Sequence, residues 1–248
     1  MSSCIGVIGG SGFYALDESG DCTTISIQTP YQQAPVTLYQ QEIGGKKVVF
    51  IPRHGKEHGI PPHRINYRAN IRALKDSGAN AILAINVVGG ITPSMAPGSL
   101  IIPDQIIDYT WGREHTFFDI LDNPGNHVDF SWPYDKALAQ ALEQAAITCG
   151  YDITRGGVYG ATQGPRLESA AEIIRLESDG CDIVGMTGMP EAALARELAI
   201  PYASLALVVN WAAGKSNQEI TFDDIISTLN TGTEHLRRII LETIPALS

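Results

Sequence analysis

Basic residues are scarce in this chain: 17 Lys and Arg stand against 27 Asp and Glu, a formal net charge of −10. A surface of that sign repels nucleic acid and anionic membranes, so neither is expected as a partner, although local Arg and His can still hold a small anion. Long apolar runs are missing too. None reaches the ~18 residues that a membrane-spanning helix requires. The opening MSSCIGVIGG has neither the basic region nor the long apolar core of a secretion signal. Cysteine is sparse: Cys4, Cys22, Cys149 and Cys181 form no Cys-x-x-Cys pair and no zinc spacing. Buried, reduced thiols in a cytoplasmic protein are expected. Also absent are a Ser-His-Asp order, a Gly-x-Ser-x-Gly elbow, a Walker phosphate loop and a His-Glu-x-x-His motif. Neither a protein nucleophile nor a metal is called for by these patterns.

What is present is an alternation of short apolar runs and helical patterns. GVIGG (6–10), VVFIP (48–52), AILAINVV (81–88), SLIIP (99–103), CDIVGM (181–186) and YASLALVV (202–209) read as strands. Helices are signalled from about His63 to Ser77, before Gly78, and from Tyr134 to Cys149, before Gly150. A third starts at Ser169, where Ser169 and Glu172 make a capping box, and stops before Gly180. Pro190 opens a fourth, and Thr221 with Asp224 opens the last. No repeat or linker interrupts the series. Residues 1–248 are therefore expected to form a single α/β domain, with a mixed, largely parallel central sheet flanked by helices. Ligands of such sheets collect beyond the carboxyl ends of the strands. That rule singles out Ser11, Arg53, Asn86, Thr187 and Asn210.

Each motif has a functional and a plain reading. In GVIGGSGFYA, a dinucleotide fingerprint fails, because LDESGDC breaks the required helix and the following run TISIQT ends without an acid. A nest of backbone N–H groups with the Ser11 hydroxyl around a phosphate remains, beside a plain tight turn. In PRHGKEHGIPPH, three histidines invite a metal, but no acid or Cys completes a set, and Gly and Pro break the helix that would align His54 with His58. Arg53 beside His54 suits an oxyanion, the alternative being a solvated loop. In TQGPRLESAAE and VGMTGMPEAA, Glu168 reads as a ligand contact or as an acid favoured by a helix dipole. Thr187 reads likewise as a site residue or a cap, and Met186 as a site residue or core. Together these groups suit an inorganic anion held beside a flat heterocycle.

The blocks GVIGGSG, RHGKEHGIPPHRINYRANIRAL, VVGG, TQGPRLES and VGMTGMPEAALARE make the chain resemble the trimeric nucleoside phosphorylase family. That family includes 5′-methylthioadenosine phosphorylase and the low-mass purine nucleoside phosphorylase. The resemblance covers nearly the whole chain and implies cleavage of a purine N-glycosidic bond by inorganic phosphate, a co-substrate, with no cofactor. It implies a homotrimer, or a dimer of trimers, in which neighbouring subunits complete each site. Ser11, Arg53, His54, Asn86 and Thr187 match the phosphate pocket. Val87, Val88 and Gly89 match the backbone under sugar and base, and Met186 the residue beneath the ribose. Leu167 falls where the family usually stacks a Phe on the base. His58 and His127 fall near positions that reach a neighbour's site.

The same resemblance bears on the substrate. Adenosine-type members have Asp at the position of Asn210 and a second Asp two residues on, where this chain has Ala212. An amide suits a 6-oxopurine, since its NH₂ donates to O6 while its oxygen accepts N7–H. Glu168 matches the acid that accepts from N1–H in 6-oxopurine members. Asn210, His54 and Glu168 are thus the expected catalytic groups. At the sugar's 5′ end those members have a His where this chain has Phe222, with Ile225 and Ile226 one turn on. An apolar pocket desolvates a hydroxyl but accepts a methylthio group. The combination implies S-methyl-5′-thioinosine as substrate. Inosine or guanosine, and then 5′-methylthioadenosine, are the alternatives.

Overall fold

The computed structural model describes residues 4–10, 22–119, 127–217 and 221–247, without the side chains of Phe222 and Asp224. The chain opens with strands β1 (Cys4–Gly9), β2 (Thr23–Ile27), β3 (Val36–Ile43) and β4 (Lys46–Pro52), then helix α1 (Tyr67–Asp76). Next come β5 (Ala81–Gly90), β6 (Leu100–Ile102), β7 (Gln105–Asp108) and helix α2 (Lys136–Thr148). After β8 (Thr154–Arg155) and β9 (Val158–Ala161) follow helix α3 (Ala170–Ser178), β10 (Ile183–Gly185), helix α4 (Gly188–Glu197), β11 (Tyr202–Trp211) and helix α5 (Phe222–Ala246). This is an α/β fold built on one mixed, largely parallel sheet.

β5 is the hub of that sheet. One edge pairs in parallel with β11 from Ile82 to Gly90. The other pairs with β1 only over Ala81–Ala84, and with β10 only at Gly89 and Gly90. β1 and β10 therefore diverge, and among the described residues the stretch Ile85–Val88 has no strand partner on that side. The opening between them is where a ligand can enter.

Alternation along β5 and β11 feeds two cores. Ile82, Ala84, Val88, Ala206 and Val208 pack with Ile71 and Leu74 of α1 and Leu194 of α4. Leu83, Ile85, Leu205, Leu207 and Val209 pack on the opposite face with Leu142 of α2 and Leu236, Ile239, Ile240 and Ile244 of α5. Fully burying each Val, Leu or Ile among them contributes about 1.5–3 kcal/mol. α5 crosses β11 so closely at Gly232 that a methyl group there would come within 2.3 Å of Leu207.

Helix boundaries follow their caps. Asn66 and Asp135 accept from Ala69 N and Leu138 N, so α1 and α2 begin later than the apolar patterns suggest. The turn Pro62–Arg64 before α1 is a 3₁₀ helix. The Ser169–Glu172 capping box is formed as expected. The thiols differ from expectation: Cys4 and Cys181 are buried, but Cys149 is half-buried and Cys22 exposed. No described helix is long and apolar enough to cross a membrane.

Candidate active site

A cavity of about 640 Å³ lies at the opening between β1 and β10. It is lined by thirteen of the residues singled out above: Arg53, His54, His58, Val87, Val88, Gly89, Leu167, Glu168, Met186, Thr187, Asn210, Ala212 and Ile225.

At one end Arg53, just past β4, is 1% exposed. Its Nε and Nη2 donate to the two carboxylate oxygens of Glu191 at 2.7 and 2.8 Å, and Nη1 donates to Ile85 O at 2.6 Å. The last bond fills the unpaired edge of β5. Three of five N–H groups are used, leaving two for a ligand. Burial opposes the charge, but the Glu191 carboxylate outweighs it and holds the guanidinium's pKa above its ordinary value. Gly10 makes this close approach feasible: a methyl group there would lie 2.8 Å from Ile85 O and 3.0 Å from Arg53 Nη1.

His54 Nδ1 lies 2.8 Å from Ile60 O. A carbonyl only accepts, so Nδ1 carries the proton and Nε2 is the acceptor of the neutral ring. Burial, and then the charge of Arg53, push its pKa down to about 4 from 6.5. Thr187 stands at the N-terminus of α4 without making a side-chain cap, so its hydroxyl is not spent on the plain role open to it. Instead its Oγ1 accepts from Asn86 Nδ2 at 2.9 Å, while Asn86 Oδ1 accepts from Ser204 at 2.8 Å. Asn86 is fully buried behind Thr187 rather than in the cavity lining.

At the other end Glu168 Oε1 accepts from Thr162 Oγ1 at 2.6 Å, and Asn210 Nδ2 donates to Trp211 O at 2.7 Å. A β-bulge sets the amide's place. Val208 lies opposite Val88 and Asn210 opposite Gly89, so Val209 is the extra residue. Ala212 is 3% exposed and packs with Ile91 and Ile173, an apolar setting where a carboxylate would be costly. Between the two ends lie Val87, Val88, Gly89 and Met186.

Other expected residues lie elsewhere. Ser11 and the Phe222 side chain fall outside the described residues. Ile226, 37% exposed on α5, does not line the cavity although its neighbour Ile225 does. His127 is exposed and away from this chain's cavity. Conversely, Ile60, Pro61 and Pro62 join the lining, and Glu191 and Thr162 act behind it; all five lie within the motifs quoted above, which give no sign of these roles. A trace existed for Glu191: it is a lone acid on the helix arc that carries Ala192, Leu194 and Ala195. Among the described residues no group of three or more His, Cys, Asp or Glu could hold a metal ion.

Comparison with known proteins agrees with this geometry. The profile described as the phosphorylase superfamily matches residues 4–245. A probable S-methyl-5′-thioinosine phosphorylase of Xanthomonas campestris is 48% identical, over 97% of this chain and 97% of that protein. A 6-oxopurine nucleoside phosphorylase of Pyrococcus furiosus is 42% identical, over 98% of this chain and 92% of its own. The solved methylthioadenosine phosphorylase of Schistosoma mansoni in complex with adenine superposes with a TM-score of 0.91 at 33% identity, covering 99% of this chain and 93% of that one. The chain belongs to the phosphorylase superfamily.

Proposed function

We propose that the cavity carries out phosphorolysis of S-methyl-5′-thioinosine, releasing hypoxanthine and 5-(methylthio)ribose 1-phosphate. The observation that carries this reading is one cavity with Arg53, His54 and Thr187 at one end and the pair Glu168–Asn210 at the other. Phosphate sits against Arg53, His54 and Thr187, with Asn86 holding Thr187, and the family resemblance adds Ser11 to these. A phosphate oxygen attacks C1′ opposite the base while the N9–C1′ bond breaks and its electrons leave with the purine. The sugar, oxocarbenium-like at that moment, lies over Val87, Val88, Gly89 and Met186, and Leu167 covers the base. The purine takes a proton at N7 from solvent, and Asn210 Oδ1 accepts that N–H while its NH₂ donates to O6. The Glu168 carboxylate, oriented by Thr162, accepts from N1–H. These bonds strengthen as the base gains negative charge, so they favour the transition state over the bound nucleoside. Phosphate positioned in line supplies the rest, and the scheme needs no metal or cofactor.

At the 5′ end, Ile225 with Ile60, Pro61 and Pro62 supports an apolar pocket, to which Phe222 is added by the sequence reading. A 5′-hydroxyl there loses its water without a partner; a methylthio group does not. Relatives named for S-methyl-5′-thioinosine support the same choice. An inosine or guanosine phosphorylase is the second reading, favoured by the polar side chain of His58 in the cavity lining. Phosphorolysis of 5′-methylthioadenosine is opposed by Glu168, Asn210 and Ala212 together.

Initial rates on S-methyl-5′-thioinosine, S-methyl-5′-thioadenosine, inosine and guanosine, each with and without phosphate, test the reading. The first should exceed inosine by on the order of 10–100-fold and the 6-amino nucleoside by more. Faster turnover of the 6-amino nucleoside would overturn the base assignment. A homotrimer, with His127 reaching a neighbour's site, is part of the proposal. Ile60 and Leu167, 41% and 47% exposed at the cavity, support a covering partner; a monomer in sedimentation analysis would refute it. The four free cysteines support a cytoplasmic setting, which fractionation of the source cell would check.

A further inference from the structure

Arg113 is 9% exposed, and among the described residues no carboxylate lies within ion-pairing distance of it. A cation buried without a counter-ion needs a dense set of acceptors to offset its lost hydration. Arg113 has such a set. Nη1 donates to Met186 O at 2.8 Å, Met189 O at 2.6 Å and Tyr67 Oη at 3.1 Å. Nη2 donates to Thr162 O at 3.2 Å and Gln163 O at 2.8 Å, and Nε to Gln163 Oε1 at 3.2 Å. His115 Nδ1, 2.6 Å from Arg113 O, anchors the loop that delivers the side chain.

Apart from Tyr67 Oη on α1, the acceptors fall into two groups at one critical place. β9 and β10 pair only as far as Ala161 and Gly185, with one further bond from Thr162 N to Gly185 O. Beyond that the two chains separate. Residues 162–163 lead to Glu168, whose carboxylate Thr162 holds. Residues 186–189 carry Met186 and Thr187. We infer that Arg113 is a positioning residue, a strut whose single guanidinium fixes the base-reading segment and the phosphate segment relative to each other. Its planar fork suits two carbonyl groups at once, which a lysine ammonium cannot reproduce.

This inference rests on the phosphorolysis reading, and the experiment separates the two. Arg113→Lys keeps the charge and loses the fork. In a folded variant with wild-type circular dichroism, KM for phosphate should rise about tenfold, and the preference for 6-oxopurine over 6-aminopurine nucleosides should fall about tenfold, the size expected for losing charged hydrogen bonds. A purely structural role would lower kcat through lost active protein and leave both quantities unmoved. That result, or a change in only one of them, overturns the strut. Gln163→Met removes the side-chain acceptor that Arg113 Nε shares with Trp111 N, keeps the four carbonyl acceptors, and guards against a lysine variant that does not fold. It should move both quantities the same way by about twofold, and no movement overturns the inference. Turnover by the wild type without phosphate would instead refute the phosphorolysis reading itself.

Discussion

Replacing Glu191 by Gln tests what holds Arg53 in the cavity. Glu191 accepts from Arg53 Nε at 2.7 Å, Arg53 Nη2 at 2.8 Å and Tyr202 Oη at 3.1 Å, and both partners of the ion pair are 1% exposed. Gln keeps the shape but turns one acceptor oxygen into a donor. One Arg53 N–H then faces another N–H, and the guanidinium, 1% exposed, is left charged without its carboxylate. Breaking a buried pair on one side costs about 3–5 kcal/mol, a large share of the about 5–15 kcal/mol that holds a domain together. In a chain of this size each kcal/mol shifts Tm by roughly 2–4 °C, so Glu191→Gln should melt about 6–20 °C below the wild type. Inorganic phosphate should recover part of the loss, since the dianion brings Arg53 the charge that Glu191 no longer supplies. A ligand at 100 times its Kd stabilises by about 2.7 kcal/mol, and more if it binds the variant more tightly. Thermal melts at fixed protein concentration and matched ionic strength, with and without phosphate, read both effects. A variant Tm within about 2 °C of wild type, or a phosphate shift no larger in the variant, would refute the account.

Two further predictions concern the same cavity. His54 has a folded pKa of about 4 against an ordinary 6.5, so the unfolded chain takes the proton first. Its contribution is complete above pH 6.5 and is lost as pH falls towards about 4, by about 3 kcal/mol. Denaturant titrations should show a shallower loss over that window in His54→Gln, and equal slopes would sink the assignment. Asn210→Asp should lower 6-oxopurine turnover by about 100-fold and raise the relative rate on 6-amino nucleosides, whereas an unchanged preference would mean that Asn210 does not read the base.

The buried strands were legible because they are continuous apolar runs: β5 and β11, shielded on both faces, can hardly be read otherwise. β3 was not, since VTLYQQEI carries Gln40, Gln41 and Glu42 and is recognisable only through its partners β2 and β4. β8 and β9 span two and four residues, too short for any period to register. The divergence of β1 from β10, which makes the opening, is a matter of pairing register and has no local sequence signal. Site residues divide along the same line. Arg53, His54, Thr187 and Asn210 stand at strand ends, where the fold rule looks for them. Glu191 stands 138 residues from the arginine it holds, so its place as a lone acid on an apolar arc hints at burial but does not name its partner. Thr162 and Arg113 escape for the same reason: each acts through another group, and its partner is set by the tertiary fold.

Asn210 is the residue at which these levels meet. Read alone, LALVVNWAAGK is an apolar strand that ends in an amide. In the fold the strand continues through Asn210 to Trp211, and the amide gains its place from the extra residue Val209. Without that bulge Asn210 would stand opposite Gly90, one register step further on. With it, the partner is Gly89, where a methyl group would come 3.5 Å from Asn210 Nδ2 and 3.3 Å from Val184. The bulge sets the amide beside Gly89, where an added methyl group would press on Val184 and only touch the amide. The bond from Nδ2 to Trp211 O then fixes which way it faces. A carboxylate could not make that bond, because two acceptors would meet. Asparagine therefore serves twice, once in the bond to Trp211 O that orients it and once before the 6-oxopurine proposed to sit there, and neither use is visible in the local pattern of apolar residues.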